Sequence, residues 1–194
     1  MPDRASGDGL VLTHGAGSNC STPLLTTIAS AFAGAGVTVL RCDLPFRQAR
    51  PHGPPTRGSG PTDRAGLQCA VAALRPHTRG HLVLGGHSYG GRQASILAAE
   101  VPDIAEALLL LAYPLHPPHR PSALRTAHLP SLRMPVLFVH GSRDPFATSE
   151  ELDAARSLIP APTALVEIAG AAHDLASLVA ADLVRAVMRL VDGC

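Results

Sequence analysis

The residues best suited to chemistry are a serine, an aspartate and a histidine at positions 88, 144 and 173. Gly86-His87-Ser88-Tyr89-Gly90 directly follows the apolar run Leu82-Val83-Leu84-Gly85 and directly precedes the helix-forming stretch Gly91 to Glu100. A sharp strand-to-helix turn of this kind lifts the serine hydroxyl clear of the sheet, and small residues two before and two after it let neighbouring backbone pass. The helix that follows aims its first amides and the positive end of its dipole at the place where negative charge develops in acyl transfer. The Tyr89 amide is then expected as one oxyanion donor. The plain alternative is a Gly-rich turn with an incidental serine, and the strand-then-helix context weighs against it.

A serine hydroxyl is a weak nucleophile at neutral pH and needs a base that a third group orients, with the partners expected after late strands in the order Ser, acid, His. Asp144 ends the segment Val136-Leu137-Phe138-Val139-His140-Gly141-Ser142-Arg143-Asp144 and fits the acid, against the alternative of a turn-forming aspartate before Pro145; Asp153 and Asp174 stand behind it. His173, in Gly170-Ala171-Ala172-His173-Asp174, follows the last apolar run and fits the base, its small neighbours leaving the imidazole room to reach Ser88. The second oxyanion donor is expected in His14-Gly15-Ala16-Gly17-Ser18, at Ala16 with Gly17 next. His87 and Gly17 are expected to border the substrate, the His87 side chain pointing away from the Ser88 hydroxyl. A phosphate-binding glycine loop competes for the His14 to Ser18 segment, but the full glycine fingerprint and the later acidic partner are missing. The Pro-broken spacing of His116, His119 and His128 suggests a solvated loop over the site, not a metal centre. Arg41, Asp43 and Arg47 read as a structural ion pair or, alternatively, as a carboxylate-binding arginine.

Elements that could hold these groups are written in the hydrophobic pattern. Nearly continuous apolar runs at Leu10 to Thr13, Val37 to Cys42, His81 to Gly85, Ala107 to Ala112, Val136 to His140 and Thr163 to Ile168 predict strands buried on both faces of a parallel sheet. Helices are expected between and after them, at Pro23 to Gly34, Thr62 to Leu74, Gly90 to Glu100, Ser149 to Leu158 and Leu175 to Val191. The expected architecture is an α/β three-layer sandwich, one domain over residues 1–194, with a mostly parallel six-stranded sheet and helices on both faces. Arg47 to Pro61 and Leu115 to Pro135, dense in Pro and basic residues, are expected as surface loops near the site.

Composition narrows the function classes. Of 194 residues 46% are hydrophobic and 16% charged, which suits a folded core rather than a disordered chain. The net charge is +1, with 16 basic residues that are all arginine and form no dense run, and aromatics make up 3%. That predicts no nucleic-acid binding, and the longest apolar run, Ala107 to Tyr113, is too short for a membrane span. Cys20, Cys42, Cys69 and Cys194 show no paired spacing, and Met1-Pro2-Asp3-Arg4-Ala5 lacks the build of a secretion signal, so a cytoplasmic protein with reduced thiols is expected.

Taken together, His14-Gly15-Ala16-Gly17, the turn at Ser88, Gly141-Ser142-Arg143-Asp144 and His173 resemble the α/β-hydrolase superfamily from Leu10 to Val191. The opening His-Gly-Ala-Gly and Arg41-Cys42-Asp43-Leu44-Pro45-Phe46 look most like its small lidless branch. That branch includes dienelactone-hydrolase-like proteins and the α/β-hydrolase-like domain of a testis-expressed protein and of a non-specific-lethal chromatin-complex subunit. The chain lacks the superfamily's first two strands and carries Ser88 where true dienelactone hydrolases carry a cysteine. The resemblance implies a minimal fold without a lid domain, no cofactor, and hydrolysis of a small ester, thioester or lactone through Ser88, His173 and Asp144. A non-catalytic interaction module on the same fold, and acyl transfer to an acceptor other than water, are the alternatives.

Overall fold

A computed structural model describes residues 6–193; Met1 to Ala5 and Cys194, and the expectations attached to them, lie outside it. The six apolar runs form β1 (Gly9–Thr13), β2 (Thr38–Cys42), β3 (Leu82–His87), β4 (Ala107–Leu111), β5 (Val136–Gly141) and β6 (Thr163–Ile168). They pair in the order β2-β1-β3-β4-β5-β6, and every pairing is parallel.

Strand side chains alternate between faces, so each run supplies two cores. Leu10, Leu12, Val83, Leu109, Leu111, Leu137 and Val139 pack with α1 (Pro23–Gly34) and α6 (Ala180–Asp192) on one face. Val11, Leu84, Leu108, Leu110, Val136 and Phe138 pack on the other face. There they meet α3 (Gly60–Leu74), α4 (Tyr89–Glu100) and α5 (Ser149–Arg156), while a single short turn of helix, α2 (Pro45–Ala49), follows β2. The helices carry matching signals. Leu183, Val187 and Val191 recur every four residues on the buried face of α6. A reciprocal Thr148–Glu151 capping box opens α5, and Pro23 opens α1 where a missing N–H costs nothing.

Topology decides where a site can form. From β1 the chain leaves through α1 to β2, and from β3 it leaves through α4 to β4 on the other side. The carboxyl ends of β1 and β3 therefore flank the point where strand order reverses, the usual crevice of an open parallel sheet. Among the described residues no separate lid domain covers this edge, and no helix is long and apolar enough to cross a membrane.

Most element ends fall within one or two residues of the expected ones, and two differences matter. Part of the expected Arg47 to Pro61 loop is helical, because α2 runs to Ala49 and α3 begins at Gly60. The final helix starts at Ala180, not Leu175. The Asp174 carboxylate accepts the Ala176 amide at 3.3 Å, and Leu175 adopts φ +53° with its side chain buried. A left-handed leucine costs on the order of 1–3 kcal/mol and cannot sit in a right-handed helix, so an Asp-centred turn replaces the first helical turn.

Candidate active site

Ser88 sits between β3 and α4 with φ +50° and ψ −116°, a conformation a non-glycine residue holds only when its surroundings force it. The forcing is visible. A Cβ on Gly86 would lie 2.6 Å from the Gly90 carbonyl carbon, and one on Gly90 would lie 2.5 Å from the His14 carbonyl oxygen, so strand, turn and the β1 loop are in backbone contact. The Ser88 amide donates to the Leu111 carbonyl at 2.8 Å, tying the turn to β4.

From this serine an unbroken hydrogen-bonded chain leads inward. Ser88 Oγ lies 2.7 Å from His173 Nε2, and His173 Nδ1 lies 2.7 Å from Asp144 Oδ2. Ser88 comes from the end of β3, Asp144 from just beyond β5, and His173 from just beyond β6, so three sheet connections converge on one line. The Asp144 side chain is fully buried, and its Oδ1 accepts the Phe146 amide at 2.9 Å, which leaves Oδ2 for the imidazole. The Phe146 ring packs on the His173 ring at 4.3 Å and 31°. The alternatives Asp153 and Asp174 are engaged elsewhere, with Arg156 and with the Ala176 amide.

Two neighbouring histidines are spectators of this line. His87 Nε2 donates to the His173 carbonyl oxygen at 2.8 Å, holding the base by its backbone, and burial lowers the His87 pKa so that the ring stays neutral. His140 Nδ1 is 3.9 Å from Asp144 Oδ2; burial, the largest influence, lowers its pKa too, against the opposing effects of the Asp144 charge and the Ala147 backbone.

The β1 loop reaches Ser88 directly: a Cβ on Gly15 would lie 3.5 Å from Ser88 Cβ. Its peptide planes are held from behind. His14 Nδ1 donates to the Gly15 carbonyl at 2.8 Å while His14 Nε2 accepts the Leu44 amide at 3.0 Å, which fixes the neutral tautomer that burial also favours. In a planar trans peptide the N–H points opposite to the C=O, so anchoring the Gly15 carbonyl aims the Ala16 amide. Arg47 does the same one residue on, its Nη2 reaching the Ala16 carbonyl at 2.9 Å and its Nε the Ser18 carbonyl at 2.8 Å. The amides of Ala16, Gly17 and Tyr89 donate to no acceptor among the described residues.

The expected ion pair among Arg41, Asp43 and Arg47 does not form. Arg41 donates to the Cys20 carbonyl, Asp43 accepts the Cys20 amide at 2.7 Å, and Arg47 spends its donors on loop carbonyls, including those of Arg50 and Gly53. Arg47 and Phe146 are contributions that sequence reasoning missed; the sole hint of the second was an aromatic placed two residues after the acid. His116 and His128 go to separate elements, His116 to Glu151 on α5 at 3.2 Å and His128 to Ser95 on α4 at 2.8 Å. The Leu115 to Pro135 loop thus lies against α4 and α5.

A family model described as an alpha/beta hydrolase domain matches residues 6–188. The chain belongs to that family. Solved structures similar to this alpha/beta hydrolase domain include Est1E from Butyrivibrio proteoclasticus with ferulic acid bound, at TM-score 0.78 and 18% identity over 99% of this chain and 93% of that one. A dienelactone hydrolase from Anabaena variabilis matches at TM-score 0.74 and 22% identity, over 100% and 88% of the two chains. XC6422 from Xanthomonas campestris, an α/β serine hydrolase without a lid, matches at TM-score 0.75 and 19% identity, over 100% and 85%. At such identities the likeness is one of fold, and the lidless dienelactone-hydrolase-like form of this alpha/beta hydrolase domain is part of it.

Proposed function

We propose that the protein is a serine hydrolase that cleaves a carboxylic ester or thioester through an acyl-enzyme. The observation that carries the reading is the continuous line from buried Asp144 through His173 to Ser88, with 2.7 Å at each junction.

Ser88 Oγ attacks the substrate carbonyl while its proton passes to His173 Nε2. The carbonyl π electrons move to oxygen, and the Ala16 and Tyr89 amides receive the resulting oxyanion. Asp144 holds His173 Nδ1–H, keeps the other nitrogen free to act as base and stabilises the imidazolium once it forms. Collapse of the tetrahedral intermediate expels the alcohol or thiol, which takes the proton from Nε2. Water then repeats the sequence on the acyl-Ser88 ester, giving the carboxylic acid and free enzyme. Gly17 and His87 border the reacting centre. The path of the Leu115 to Pro135 loop along α4 and α5 supports this catalytic reading over a non-catalytic module, since none of its residues lines the cleft beside His87.

The test is covalent labelling with a fluorophosphonate. Wild-type protein is expected to take up one label, with none in Ser88→Ala or in heat-denatured protein; labelling that persists in Ser88→Ala would overturn the assignment. Ester turnover in Ser88→Ala is expected to fall by at least about 10³-fold.

A further inference from the structure

Beside His87 the surface opens into a cleft of about 510 Å³ between α1 and the turn that follows His173. One wall is Leu24, Thr27 and Ile28 of α1, and the other is Leu175, Ala176 and Leu178. Among the residues that line it Asp174 carries the one carboxyl group, and burial lowers the pKa of His87. The cleft adjoins the catalytic groups through their chain neighbours, since His87 precedes Ser88 and donates to the His173 carbonyl, and Asp174 follows His173.

Two features show that the fold spends stability on this wall. Leu175 takes a left-handed backbone conformation, φ +53°, which disfavours every residue with a Cβ, and in doing so replaces a first turn that α6 could otherwise have had. Leu24 and Leu178 remain only half-buried against the core, and Val179 at the end of the turn is 57% exposed. Apolar side chains left open around a cavity lined by the chain neighbours of Ser88, His173 and Gly17, namely His87, Asp174 and Ser18, fit an apolar part of the substrate.

We infer that the cleft between α1 and the Asp174 to Leu178 turn binds an uncharged aliphatic chain of medium length carried by the ester. This names the substrate class for the hydrolase reading above and rests on that reading for its catalytic meaning. At roughly 30 Å³ per heavy atom, the share a water molecule takes, an eight-carbon chain fills about half the space, and longer chains still fit. The Asp174 carboxylate disfavours a chain that ends in an anion.

The chain is probed first without turnover. Ser88→Ala protein is titrated calorimetrically with 1-butanol, 1-hexanol and 1-octanol, and Kd is expected to fall about fourfold for each added methylene. Thr27→Trp fills the cleft from an exposed position on α1, and Ala176→Trp does so from the opposite wall; in either background the length dependence is expected to vanish. A flat alcohol series, or a series unchanged in both tryptophan variants, overturns the inference even if Ser88 labels with fluorophosphonate. A length-dependent series lost in the tryptophan variants, in protein that never labels, upholds the cleft and overturns the hydrolase reading. In wild-type protein, p-nitrophenyl esters from acetate to octanoate and acetate esters from butyl to octyl then show which end of the ester occupies the cleft. The series that lies in it gains in kcat/KM with length, and the other stays flat.

Discussion

At the scale of single residues, the arrangement depends on which atom of Asp144 faces which partner. Oδ1 is committed to the Phe146 amide and Oδ2 to His173 Nδ1. In Asp144→Asn the amide oxygen must keep the Phe146 contact, so the NH2 group faces His173 and can only be received by an unprotonated Nδ1. The imidazole proton then moves to Nε2, toward Ser88, where it blocks proton abstraction. Ester kcat is expected to fall on the order of 10³- to 10⁴-fold with little change in the thermal midpoint, because the side chain keeps its shape. Stopped-flow or steady-state assay with a p-nitrophenyl ester checks this, alongside thermal unfolding of the same sample. A loss smaller than tenfold would show that Asp144 does not set the tautomer.

At the scale of elements, the loop after β1 is held by backbone contacts that no side-chain pattern announces. Arg47 is 6% exposed, its guanidinium lies 5.0 Å from the centre of the Phe46 ring, and its hydrogen bonds go to carbonyl oxygens, so its contribution is to fix the planes of the peptides that follow Ala16 and Ser18. Arg47→Met is expected to lower kcat roughly tenfold while KM stays within about twofold, since it frees the Ala16–Gly17 peptide that adjoins the Ala16 donor without removing that donor, and outright removal of a donor costs about 10²- to 10³-fold. Arg47→Lys reaches one carbonyl at a time and should recover part of the loss. The same distinction explains what could be read from the chain itself. Strands such as Leu108 to Leu111 and the turn around Ser88 were legible because burial on both faces and close backbone packing each demand a residue type. The Arg47 clamp was not, because its acceptors are main-chain atoms of any residue. Nor was the late start of α6: the pattern from Leu175 onward suits a helix, and the left-handed turn comes with the Asp174 contact to the Ala176 amide and with burial of Leu175 among strand and helix residues distant in sequence. The cleft, made by two segments some 150 positions apart in sequence, has no local signature at all.

At the scale of the whole molecule, burial places several histidines where protonation opposes folding. Desolvation is the leading cause of a lowered pKa at His14, His87, His140 and His128. For His128, held against α4 through Ser95, burial and the Arg92 and Arg64 guanidinium groups bring it from 6.5 to about 4. A group whose folded pKa is depressed binds its proton more readily in the unfolded chain. Between pH 6.5 and about 4 the unfolded state therefore takes up more protons, so the contribution to stability is intact above pH 6.5 and drains away as the pH falls through that window. The thermal midpoint should accordingly drop between pH 7.5 and pH 5, before carboxylate protonation becomes dominant. His128→Asn can keep a hydrogen bond to Ser95 without titrating, and it should reduce that drop by about 2–4 °C while the remaining buried histidines sustain the rest. Calorimetric scans of both proteins across the window decide the point. An equal drop in both would mean that His128 titrates alike in the folded and unfolded chain, and that the Leu115 to Pro135 loop opens before the sheet does.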